Sequence, residues 1–98
     1  MQFMVLLRRI SERFSDADFA PLLEPEADRA RALYIEGVIR QIWSRGDVPG
    51  ACVLIEAPDE AQARATLETL PLLANGMLEL SGLVPLKPYR GFAPRVTG

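Results

Sequence analysis

Two runs of this chain, residues 3–7 and 51–55, are apolar on both parities, which suits strands buried on both faces. Between them, after the polar break SERFSDAD at residues 11–18, Ala27, Ala30, Leu33 and Tyr34 recur at helical spacing. They predict a helix over 25–36, with Pro25 in its first turn, the acidic Glu26 and Asp28 near its positive end, and Gly37 as its stop. Residues 38–45 read as a second strand, Gly46-Asp47-Val48-Pro49-Gly50 as a hairpin loop, and 51–55 as the third strand. Ala57-Pro58-Asp59-Glu60 then opens a second helix, whose stripe Ala63, Leu67 and Leu70 is closed by Pro71. A fourth strand is expected over 77–84, ahead of the Pro/Gly-rich tail PLKPYRGFAPRVTG.

The order βαββαβ predicts an α+β fold of ferredoxin-like type, an antiparallel sheet with two helices on one face. In that topology the first and third strands are central, and these are the two strands that are apolar front and back. Two helices cover only one face. A second copy of the chain is the simplest cover for the other, so a homodimer or higher homo-oligomer, a dimeric α+β barrel, is expected. Residues 1–88 form the expected domain and 89–98 a C-terminal arm laid over the partner, anchored by Tyr89 and Phe92. The segment Pro85-Leu86-Lys87-Pro88-Tyr89-Arg90 also matches the PxxPxR pattern of polyproline ligands, so a peptide role is the alternative for the tail.

At 98 residues, 49% of them apolar, the chain is one domain with a core of modest size. A net charge of -2, with basic residues scattered rather than clustered, argues against nucleic acid as a partner. There is one cysteine and no histidine. This removes an intrachain disulfide, the usual zinc, copper and haem ligand sets, and Ser/His or Cys/His catalysis, so no cofactor is expected. The apolar run at the N-terminus is too short for a signal peptide or a membrane span, and a cytoplasmic protein with no membrane partner is expected.

Candidate chemistry lies on or beside the outer strands. Glu79 stands between Leu78 and Leu80. A carboxylate held in an apolar cavity exchanges protons near neutral pH and would serve as a general base; otherwise it pairs with an arginine of a neighbouring strand or points to water along the sheet edge. Arg40 either grips a substrate carboxylate with two hydrogen bonds or guards an exposed edge. Trp43 walls a cavity or packs in the core or dimer interface, and by parity it shares a face with Arg40 only if the strand twists or bulges. Gln41 and Ser81 are further candidates for substrate contact. Tyr34 offers a hydroxyl to a pocket or packs with its oxygen in water. Cys52 reads as a small buried apolar residue.

With these residues in view, the chain resembles the muconolactone isomerase family, small cofactor-free proteins of dimeric α+β-barrel fold. The resemblance runs from Pro25 to Pro88. Gly37, Arg40 and Trp43, within GVIRQIW, stand at the spacing of the family's helix-end glycine and second-strand arginine and tryptophan, and Leu70-Pro71-Leu72 followed by Glu79 matches its LPL element and last-strand glutamate. The R-G-D-x-P-G turn and P-L-K-P-Y tail look closer to uncharacterised relatives of that family. The resemblance implies an isomerase in which Glu79 moves a proton on a small organic acid or lactone and Arg40 holds its carboxylate. It departs at Gln41, where the family carries a histidine, and glutamine cannot shuttle a proton. A non-catalytic metabolite-binding or assembly protein, and a cofactorless oxygenase, are the alternatives on the same fold.

Overall fold

The computed structural model describes residues 1–92. Its elements are β1 (Gln2–Arg9), α1 (Asp16–Ile35), β2 (Ile39–Ser44), β3 (Gly50–Glu56), α2 (Glu60–Leu67), α3 (Pro71–Ala74) and β4 (Leu78–Leu86), followed by a 3-10 turn at Arg90–Phe92. The four strands form one antiparallel sheet in the order β2-β3-β1-β4. This is the expected ferredoxin-like arrangement, with β1 and β3 at the centre.

The alternation along the central strands decides which way the sheet faces. Phe3, Val5 and Leu7 of β1 and Val53 and Ile55 of β3 are buried beneath the helices, with Ile39 of β2 beside them. Phe19 and Leu33 of α1, Ala63 and Leu67 of α2, and Leu70 and Leu72 close the core from above. The intervening residues, Met4 and Leu6 of β1 and Cys52 and Leu54 of β3, are only half-buried, because among the described residues no helix lies on that side. Trp43 and Val84 continue this second apolar surface onto the outer strands.

The first helix is longer than expected. It begins at Asp16, not at Pro25, so Ser11–Asp18 is only in part a polar break. Ser15 and Asp18 form a capping box: Ser15 Oγ accepts from the Asp18 N–H at 3.3 Å, and Asp18 Oδ2 accepts from the Ser15 N–H at 2.8 Å. Pro21 and Pro25 both lie inside α1. Proline usually breaks a helix because it removes a donor and crowds the carbonyl four residues earlier. Here Ala17, Pro21 and Pro25 share one exposed face, so the missing bonds fall on the solvent side, where water can serve the freed carbonyls. At the other end Gly37, with φ +80°, ends the helix as expected. Its N–H reaches the Tyr34 carbonyl at 3.0 Å and the Val38 N–H reaches Leu33 at 2.9 Å, the paired bonds of a Schellman stop.

Two further boundaries differ. Pro71 opens α3 at its first position rather than closing α2, which ends at Leu67 with Glu68 as its cap. β4 runs to Leu86 and carries a bulge opposite Leu6 and Leu7 that leaves Ser81 outside the pairing; β2 has a second irregularity that leaves Arg40 unpaired. Pro85 is accommodated because β4 is an edge strand. Of the arm expected over 89–98, residues 93–98 lie outside the described residues. Among the described residues no helix is long and apolar enough to cross a membrane.

Because Ser15 caps α1, Ser15→Ala should cost about 1 kcal/mol, seen as a fall in Tm of roughly 4–8 °C for a domain of this size. An unchanged Tm would mean that the capped first turn contributes nothing.

Candidate acid–base cleft

α1 turns one stripe toward the sheet: Phe19, Leu22, Glu26, Ala30 and Leu33, spaced by three and four residues. Four are apolar. The fifth, Glu26, carries a carboxylate into a cleft of about 220 Å³ between α1 and the sheet. Leu7, Ile39, Val53, Leu70, Leu72 and Leu78 form its walls, and the partly exposed Leu23 and Ile42 flank it.

Glu26 is held from above by α3. The Leu72 N–H donates to Glu26 Oε1 at 2.9 Å. Pro71, at the first position of α3, has no N–H, so Leu72 supplies the first free donor of that turn. Burial pushes the Glu26 carboxyl up from its ordinary pKa, against the opposing pulls of the Leu72 bond and the Arg9 charge. Arg9, at the end of β1, lines the same cleft. Its guanidinium lies over the Phe19 ring, with Cζ 4.9 Å from the centroid, and among the described residues it has no ion-pair partner. Ser44, on the β2 position facing Ala51, adds a hydroxyl to the lining. A carboxyl that holds its proton more firmly than usual, an arginine free to take an anion and a hydroxyl thus converge on apolar walls, a combination suited to proton transfer on a small acid.

The residues singled out from the sequence lie elsewhere in the subunit. Glu79 is on β4, on the face away from the helices, paired across the sheet with Arg8. The Arg8 Nε donates to Glu79 Oε2 at 2.9 Å, and the same guanidinium bonds both oxygens of Glu12 at 2.9 and 3.0 Å. The Glu79 side chain is 50% exposed. These bonds hold the Glu12 carboxyl down at about 2 and the guanidinium above its ordinary value. Arg40 sits in the β2 irregularity on the opposite edge, sharing a shallow groove with Tyr34, Ile35 and Gly37. Gln41 and Trp43 follow on the open face, opposite Leu54 and Cys52, and Gln41 Oε1 accepts from the Ile42 N–H at 3.0 Å. Ser81 is exposed in the β4 bulge. Within one subunit, then, Arg40 and Tyr34 meet and Gln41 and Trp43 share a face, while Glu79 and Arg40 are separated by the width of the sheet.

Glu26 and Arg9 were not among the residues singled out, although the signal was present. Once the helix is started at Ser15, Glu26 falls in the middle of an apolar stripe, where a carboxylate is out of place unless it is partnered. Started at Pro25, the helix makes Glu26 an ordinary first-turn acid.

A carboxyl whose folded pKa is raised opposes folding once it must ionise. Below the ordinary carboxylate value of 4.5 both folded and unfolded chains hold the proton and the penalty is absent; it develops as pH rises through and beyond that value. Glu26→Gln should therefore raise Tm near pH 7 and leave it unchanged near pH 3, in thermal melts of the two proteins in parallel. A variant less stable at pH 7 would contradict this placement of the carboxyl.

No family model and no curated protein matches the chain. Among solved structures, a crystal structure of muconolactone isomerase at 3.3 Å resolution superposes with a TM-score of 0.78 over 98% of both chains, at 20% sequence identity. The chain therefore has the fold of muconolactone isomerase, as the sequence resemblance implied.

Proposed function

We propose that this protein moves a proton on a small organic acid or lactone without a cofactor, with Glu26 as the acid–base group. The observation that carries the reading is the Glu26 carboxyl in its apolar cleft, bonded to Leu72 and facing an arginine that has no carboxylate of its own among the described residues. Similarity to muconolactone isomerase across the whole fold is consistent with it.

In this reading Arg9 takes the substrate's carboxylate, or the oxygen of an enolate as it forms, and its stacking on Phe19 limits the orientations it has to lose on binding. Glu26 Oε2 removes a proton from the carbon next to the carbonyl and returns it at another position. The Leu72 N–H keeps Oε1 occupied throughout, so that one oxygen does the transfer. Ser44 orients the far end of the substrate.

The molecule acts as a cytoplasmic homodimer in which the open sheet faces pack together, covering Met4, Leu6, Leu54 and Trp43. A two-fold axis along the strands lays β4 of one copy over β2 of the other. By register, Ser81 of one copy would then lie near Trp43 of the other, Glu79 level with Arg45 and Val84 level with Gln41, with Arg40 along the same edge. This seam is the second reading of the site, favoured by the matches to the family's positions. The Glu79–Arg8 pair and the glutamine at position 41 suit assembly or plain metabolite binding better than proton transfer at that seam.

Muconolactone, the substrate in the relative's name, and simple enolisable lactone acids supplied in D2O allow proton NMR to follow both exchange and isomerisation. The cleft reading expects turnover to fall roughly 10²–10⁴-fold in Glu26→Gln. Arg9→Ala should mainly raise KM, and Glu79→Gln should stay within a few-fold of wild type. Loss in Glu79→Gln with Glu26→Gln intact would move the chemistry to the seam. No exchange by the wild type on any of these compounds would favour the non-catalytic reading.

A further inference from the structure

The cleft around Glu26 continues beyond its own rim. Ala27 and Ala30 of α1 and Ile42 of β2 line it and also line a second, more open groove, which runs on along the seam between helix and edge strand to Arg31, Tyr34 and Gln41. Leu23, Ala27, Ala30 and Tyr34 follow one another at spacings of four, three and four, so they form a stripe of α1 beside the one that faces the core. From Glu26 to Tyr34 the helix axis advances about 12 Å, the reach of the two hollows together along α1. Between them the helix presents only the methyl groups of Ala27 and Ala30, one exposed and one half-buried, and the passage is open because nothing larger stands there.

Charge is available at one end of this passage only. In the cleft, Arg9 has no ion-pair partner among the described residues, and the other charged group of the lining is Glu26. In the groove beyond, Arg31 is already bonded to Asp28 at 3.1 Å, and the Gln41 side chain accepts from the Ile42 N–H. Large apolar side chains stand on both sides of the mouth, Leu23 from the helix and Ile42 from the strand, left 41% and 45% exposed. A single exposed leucine or isoleucine is ordinary, but these two flank one opening from different elements.

We infer that the site takes a monocarboxylate bearing an apolar substituent, its carboxylate on Arg9 and the substituent passing between Leu23 and Ile42, over Ala27 and Ala30, toward the Tyr34 ring. A substituent laid there covers apolar side chains of both elements, and each CH2 removed from water tightens binding. A dicarboxylate of the same length gains less. Its second anion would lie either against apolar walls beside Glu26 or in a groove whose arginine is already paired. Ala27 and Ala30 thus act as specificity residues, by leaving the passage open. The inference rests on the proposed role of Arg9 as the partner of the substrate's carboxylate.

Titration with butanoate, hexanoate, octanoate and the dicarboxylate octanedioate tests it, with binding read from the methyl NMR signals of Ala27, Ala30 and Ile42. Affinity should rise about two- to fourfold per added CH2, with octanedioate roughly tenfold weaker than octanoate. Arg9→Ala should weaken all the monoacids by a similar factor and keep the gain with length. Ala27→Phe, at an exposed helical position, should abolish that gain and leave octanoate no tighter than butanoate. An affinity independent of length, a gain that survives Ala27→Phe, or shifts confined to Met4, Leu6 and Leu54 on the open sheet face would overturn the inference. The readout is separate from turnover. Length-dependent binding without proton exchange contradicts the proposed reaction alone, and exchange on small lactone acids with no gain from length contradicts the substituent alone.

Discussion

The contact on which the rest depends is the laying of one helix across the inner face of the sheet. Among the described residues this four-stranded sheet has no other cover on that side than α1 with the short α2 and α3. α1 must therefore present an unbroken stripe from Phe19 to Leu33 against β1, β3 and β2. Any residue within that stripe is carried inward whether it is apolar or not. Glu26 is carried inward in this way. The price is an ionisable group where a leucine would pack, and what reduces it is local: one backbone donor from α3 and the positive charge of Arg9. A carboxyl so placed adds nothing to stability near neutral pH.

The same covering leaves the second face unprotected. Met4, Leu6, Cys52 and Leu54 form an apolar band, while the row at one end holds Arg8 and Glu79 with Glu12 bonded to the same guanidinium. Apolar in the middle and charged at the rim, this is the face that the proposed homodimer would bury. At the hairpin end, Arg45 bonds both oxygens of Asp47 at 2.9 and 2.7 Å and holds that carboxyl at about 2. The turn is thus tied by its own charges at the edge of the face.

Most of the architecture was legible in the sequence because it follows from alternation and from a few residues with special backbones. Strands apolar on both parities mark the central positions, and Gly37 marks a helix end that only a left-handed residue makes well. The start of α1 was not legible in the same way. Pro21 and Pro25 are strong helix breakers on average, and only the knowledge that both fall on the outer face cancels the signal; the Ser15-x-x-Asp18 cap was the competing cue. The error spread to the site, since moving the helix start by a turn or more changes the meaning of Glu26. For Glu79 the flanking leucines suggested an apolar cavity. In an edge strand, neighbours in sequence point to the opposite face, so Leu78 and Leu80 say little about where the carboxylate lies. Arg8, which does meet it, is 71 residues away and becomes its neighbour only through the sheet register.

Glu26 carries its carboxyl into a partly buried, largely apolar cleft and keeps its proton longer than an ordinary glutamate. Carbon-detected NMR titration of the side-chain carboxyl carbons, with the Glu26 signal assigned by its absence in Glu26→Gln, measures this directly. The account predicts a Glu26 midpoint above the ordinary value of 4.5, moving further up when Arg9 is replaced by alanine. A midpoint at or below 4.5, unmoved by the loss of Arg9, would place the carboxyl in water and contradict it.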